Sequence, residues 1–173
     1  PTFLSNFSSP NYDHRYSVDG SPRVSDVNFS TSAADWRTVL VGTTGAGGKA
    51  VFALDITNPD TFNENNVLWE IRGIDTPATP PTPALTDLEE NMGYTLPQPA
   101  IGKLPNGSWV AIVANGYASN KGRAILYILD IKTGAVLKKF DTLQGDNINN
   151  FNGLSTPFAA DTNGDGYIDI AEW

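Results

Sequence analysis

Short apolar runs broken by glycine and proline dominate the chain, and helical periodicity is scarce. Residues 38–41, 50–56, 67–71, 109–113, 124–131 and 135–140 read as strands: they are rich in β-branched and aromatic residues and end at turn formers. One acidic stretch after a proline cluster, residues 84–92 (ALTDLEENM), is the best helix candidate. The 16 glycines and 12 prolines mark the turns between these runs. The pattern predicts an all-β chain.

The runs repeat. Residues 51–58 (VFALDITN) match 127–134 (YILDIKTG), with an aromatic residue, then Leu-Asp-Ile, then a turn. Each copy continues into a further strand, at Val67-Leu68-Trp69 and at Val136-Leu137-Lys138. Upstream, Pro22 and Pro99 precede matching strands that lead to Trp36 and Trp109. A third copy opens at Pro157, reaches the strand-like stretch 167–171 and stops. Each unit therefore has four antiparallel strands, the blade of a β-propeller. The expected organisation is one domain over 1–173, a portion of a modified propeller. Its blades fall at roughly 16–75 and 95–145, with the start of another at 154–173. The spacing of Pro22, Pro99 and Pro157 exceeds the ~40–50 residues of a compact blade. Residues 72–98, with prolines 77, 80, 81, 83 and 97, are accordingly expected to form an irregular surface insertion.

Charge and composition narrow the function classes. A net charge of −8 disfavours nucleic acid, which demands a basic face. No apolar run approaches the ~18 residues of a membrane-spanning helix. The lack of cysteine removes disulfides, thiolate metal sites and a cysteine nucleophile, and the single histidine, His14, removes multi-histidine metal sites. A chain opening at Pro1 without an apolar leader is expected to be a piece of a longer protein.

The sharpest chemistry lies at residues 161–169 (DTNGDGYID). Calcium takes six to eight hard oxygen ligands in a flexible cage. Asp161, Asn163, Asp165 and Asp169 offer side-chain oxygens at positions 1, 3, 5 and 9, and Tyr167 at position 7 offers its carbonyl. Gly166 permits the sharp bend. The pattern also satisfies the EF-hand expression with Glu172 at position 12, but residues 149–160 carry Gly and Pro where an entering helix is required. In the repeat, residues 161–166 stand where residues 103–108 form a hairpin turn. The loop is thus expected to replace a β-turn, with Ile168 and Ile170 alternating on the strand that follows and Glu172 a doubtful ligand.

Three stretches, HRYSVDGSP at 14–22, WRTVLVG at 36–42 and GAGGKAVFALDI at 45–56, resemble the PilY-type (also called PilC-type) adhesins of bacterial type IV pili. The resemblance runs from about Tyr12 to Ala171. It implies a modified β-propeller in a large protein of the pilus tip and outer surface, extracellular and non-enzymatic. It also implies a nine-residue calcium loop that governs pilus extension against retraction, with Asp161, Asn163, Asp165, Tyr167 and Asp169 as ligands. Pilins, minor pilins and a host or surface receptor are the implied partners; adhesion and twitching motility are the implied processes.

Other motifs are weaker. Residues 42–50 (GTTGAGGKA) lack the glycine and the hydroxyl residue of a phosphate loop, and a strand follows where a dinucleotide site needs a helix. His14 reads as a hydrogen-bonded structural residue. Trp36, Trp69, Trp109 and Trp173 read as blade packing, with sugar stacking as the alternative. Residues 129–134 are similar to the blade motif of quinone-cofactor dehydrogenases, which keeps an enzyme as an alternative function, although fold alone does not confer activity.

Overall fold

A computed structural model describes residues 6–74, 86–146 and 150–173. Two four-stranded antiparallel sheets follow one another along the chain. The first contains β1 (Arg23–Asn28), β2 (Trp36–Thr43), β3 (Ala50–Asp55) and β4 (Val67–Arg72), paired in sequence order. The second contains β5 (Ala100–Lys103), β6 (Trp109–Ala114), β7 (Ile125–Asp130) and β8 (Val136–Asp141), in the same order. A short pair, β9 (Phe158–Ala160) and β10 (Ile170–Glu172), opens a third unit. The all-β, four-stranded blade expectation is met. First strands lie beside one another, β1 by β5 and β5 by β9, as blades do around an axis.

The repeated Leu-Asp-Ile has a local cause. β3 slips register against β4 between Ala53 and Leu54, and β7 slips against β8 between Ile128 and Leu129, the same place in each copy. A bulge there bends the strand into the turn that follows. The next residue caps that turn: Asp55 accepts hydrogen bonds from the Thr57 N–H and hydroxyl, and Asp130 accepts from the Lys132 and Thr133 N–H groups and the Thr133 hydroxyl.

Stacking of the blades makes the core. Val27, Val39, Val41, Val51, Ala53 and Trp69 of the first sheet meet Ala111, Val113, Ile125, Tyr127, Leu129 and Ile131 of the second, all buried. On its other face the second sheet presents Val110, Ile112, Ala114 and Leu126, which take half-buried Leu154, Ala159, Ile168 and Ala171 from the third unit. β6 and β7 are apolar without alternation because both their faces are covered. Each buried Val or Leu contributes about 1.5–3 kcal/mol. Trp69 locks the first seam, its indole N–H donating to the Ile131 carbonyl at 2.9 Å across the blades. Gly134 lets the ring approach, since a side chain there would strike Trp69.

The connection between the sheets departs from an irregular surface loop. Residues 75–85 lie outside the described residues, but 86–98 fold inward. A short helix, α1 (Asp87–Asn91), starts with a Thr86–Glu89 capping box. The Asp87 carboxylate holds the Lys139 ammonium at 2.7 Å and the Tyr127 hydroxyl at 3.2 Å. Met92 and Thr95 are fully buried, and buried Asn115 donates to the carbonyls of Asn91 and Arg123, both at 2.7 Å. Long-range partners, which composition does not reveal, turn this segment into a wedge. Of the helix expected over 84–92, the part at 84 and 85 lies outside the described residues.

Two outcomes follow. Trp69→Phe leaves the buried Ile131 carbonyl without its donor and should cost about 1–3 kcal/mol in urea unfolding. Burial pushes the Asp55 carboxyl up, but bonds from Thr57 and the nearby Arg37 outweigh it and hold the group below its ordinary 3.8. A folded-state value below the unfolded one stabilises fully above that ordinary value and is lost as pH falls through the folded one. Wild type should therefore lose more stability as the pH falls below 3.8 than Asp55→Asn does in the same titration.

Candidate metal centre

Residues 161–169 form the turn between β9 and β10. Alternate side chains fold back onto the backbone. The Asp161 Oδ1 accepts from the Gly164 N–H at 2.7 Å and the Asp165 N–H at 3.2 Å, and its Oδ2 accepts from the Gly166 N–H at 2.7 Å. Asn163 Oδ1 accepts from the Asp165 N–H, and Asp165 Oδ1 from the Tyr167 N–H, each at 2.9 Å. These successive Asx turns wind the chain around one side. Gly164 and Gly166 have φ of 78° and 86°, and an added Cβ would meet nothing within 4 Å at either. Backbone conformation, not crowding, selects glycine there.

Asp169 closes the turn. Its Oδ2 accepts from the Thr162 hydroxyl at 2.7 Å and the Thr162 N–H at 2.8 Å, while its own N–H donates to the Ala160 carbonyl at 2.9 Å. The Asn163 amide reaches Asp169 Oδ1 at 3.5 Å. Donation from the Thr162 hydroxyl, then from its N–H, holds the Asp169 carboxyl below its ordinary value. Sequence reading missed Thr162; its signal is a hydroxyl residue directly after the first aspartate, within reach of the last.

The expected strand over 167–171 needs correction: pairing begins at Ile170, opposite Ala160. The Ile168 N–H donates instead to the Lys103 carbonyl at 2.8 Å, and the Ile168 side chain packs on the second blade, where any side chain on Gly102 would strike it. The loop is thus tied across the blade seam. Glu172 lies on β10 opposite Phe158.

The donor set suits a hard cation. An ionised carboxylate has about four lone-pair sites, so bonds from N–H groups leave capacity for a metal. Among the described residues, no three His, Cys, Asp or Glu side chains draw together as a metal-holding cluster. The five expected ligand residues instead share one exposed turn that mixes carboxylate, carboxamide and carbonyl oxygens.

A family model for the PilY1 beta-propeller domain matches residues 4–172. The chain belongs to the PilY1 β-propeller family. The chain is 43% identical over 175 residues to a type IV pilus biogenesis factor PilY1 homolog of Xylella fastidiosa, covering 97% of this chain and 11% of that protein. It is 40% identical to the type IV pilus biogenesis factor PilY1 of Pseudomonas aeruginosa (strain PAO1) over 158 residues, covering 91% of this chain and 12% of that protein. The crystal structure of the Pseudomonas aeruginosa PilY1 C-terminal domain matches with a TM-score of 0.69 at 40% identity, over 89% of this chain and 27% of that one. The chain spans 11% and 12% of the lengths of these two curated relatives.

His14 Nδ1 lies 3.2 Å from the Tyr12 hydroxyl, and its ring meets Tyr16 edge-on at 4.9 Å. The glycine-rich stretch after β2 forms a 3-10 turn, Gly45–Gly47, and runs straight into β3. Among the described residues, no helix is long and apolar enough to cross a membrane.

The Asp169 carboxyl should titrate with a midpoint below 3.8 in calcium-free buffer, read by carbon-13 NMR of its side chain. Thr162→Val should raise that midpoint.

Proposed function

We propose that the chain is a calcium-binding, non-enzymatic propeller module of a type IV pilus biogenesis factor and adhesin. Its membership in the PilY1 family supports the pilus assignment. The observation that carries the metal reading is the wound 161–169 turn, with Asp161, Asn163 and Asp165 each bent back onto later N–H groups. Asp161, Asn163, Asp165 and Asp169 would hold the ion through side-chain oxygens and Tyr167 through its carbonyl. Bound calcium supplies charge neutralisation to three acidic side chains in one short turn. Magnesium, which demands a tight octahedron, suits this loop less well.

The loop's place gives the ion a consequence. Ile168 joins the turn to β5 across the seam, so ordering the turn stiffens the junction between the second and third units. In a pilus this junction would present or withdraw a contact surface for pilins and minor pilins, biasing extension against retraction, surface attachment and twitching motility. The module would work outside the cell, at the pilus tip or outer surface. The cross-strand row Val24, Leu40, Leu54 and Val67 on the far face of the first blade would be covered by a further blade of a longer parent.

Calorimetric titration of wild type with calcium should give saturable heat, with a much weaker response to magnesium. Asp161→Ala and Asp169→Ala should abolish it. Calcium at about 100 times its dissociation constant should stabilise the wild type by about 2.7 kcal/mol and leave both variants unmoved. Equal calcium heat in wild type and both variants would defeat the assignment.

A further inference from the structure

The repeat places an aromatic residue at one position in all three units: Trp36 and Trp109 open the second strands of the first two blades, and Tyr167 stands in the matching place of the third. All three lie at the same end, because each follows the turn between the first and second strands of its sheet. Trp36 and Trp109 meet edge to face, with centroids 6.3 Å apart. Together with Tyr167 they line a cleft of about 300 Å³, whose polar walls include Asn28, Asn106 and Lys103. A smaller hollow of about 130 Å³ shares Asn28 and Trp109 with it and continues to Lys132.

Trp36 remains 57% exposed, although tryptophan is usually well buried. The cleft is lined by one lysine, Lys103, and by no carboxylate, on a chain of net charge −8. The Lys103 ammonium stands 4.9 Å from the Tyr167 ring centroid, and the Lys132 ammonium 5.3 Å from that of Phe29. Neither lysine has a carboxylate at ion-pair distance among the described residues. Asp130, a carboxylate lining the smaller hollow, is turned into its own bend by three hydrogen bonds.

We propose that this cleft binds an acidic oligosaccharide, with a pyranose ring stacked on Trp36 and a sugar carboxylate held by Lys103. A pyranose has an apolar C–H face that fits an indole and a rim of hydroxyls that fits the Asn106 amide, whose Oδ1 accepts from the Ser108 N–H at 3.0 Å. An aromatic wall with a few converging polar groups is the usual make-up of a small-ligand site. The carboxylate selects for the unpaired ammonium. The aromatic positions follow the repeat, so successive sugar rings can pass from one blade to the next. The site does not need the calcium reading, since Trp36, Trp109 and Lys103 all belong to the first two sheets.

The test is calorimetric titration of the full chain with tetragalacturonate and sialyllactose, against galactotetraose and lactose as neutral counterparts. At least one acidic probe should bind saturably and at least about tenfold more tightly than its neutral counterpart. Trp36→Ala should weaken that binding by about tenfold or more with an unchanged circular dichroism spectrum, as expected for an exposed residue. Lys103→Gln should erase the preference for the acidic probe while sparing binding of the neutral one. Absence of saturable heat with both acidic probes, equal affinity for acidic and neutral sugars, or wild-type affinity in both variants would overturn the proposal.

Discussion

The second sheet has two apolar faces, and neither can be left to water at an acceptable cost. That constraint organises everything else. The second blade shows it most plainly: β6 is buried along almost its whole length because the first blade covers one face and the third unit the other. Stacking brings the first strands side by side, and antiparallel order then sends every turn between first and second strands to one end. The 161–169 loop and the aromatic cleft share that end for this reason.

The loop is held by the packing it interrupts. An isolated acidic turn of this kind would be free to splay, since its carboxylates repel one another. Here Ile168 sinks against Gly102 and its N–H binds the second blade, while Asp169 closes the hairpin onto Ala160. Tyr167 lies between the two features: its N–H belongs to the wound turn, and its ring lies beneath the Lys103 ammonium in the cleft. One residue thus connects a candidate ion site to a candidate ligand site through a single backbone step.

Much of the fold was legible because its signals are local. The repeated Leu-Asp-Ile stretch is a bulge followed by an aspartate cap, and both are written in adjacent residues. Glycines at 164 and 166 and alternate oxygens at 161, 163 and 165 likewise specify the bend on their own. The departures came from partners far away in sequence. Residues 86–98 read as a short helical stretch within a proline-flanked surface insertion, yet Asn115 and Tyr127 draw them inward. The last strand starts late because Ile168 pairs with Lys103 of the neighbouring blade, which no reading of the hairpin alone would show. Thr162 escaped notice because its role is to tie Asp169, seven residues on.

Whether oxygen atoms of the 161–169 turn surround one calcium ion at the seam between two blades is decided by a crystal structure of the chain grown in millimolar calcium, with anomalous data. An anomalous peak is expected within the turn, ringed by oxygens of Asp161, Asn163, Asp165, Tyr167 and Asp169. A well-ordered turn with no peak, or a peak held by other residues, would contradict it.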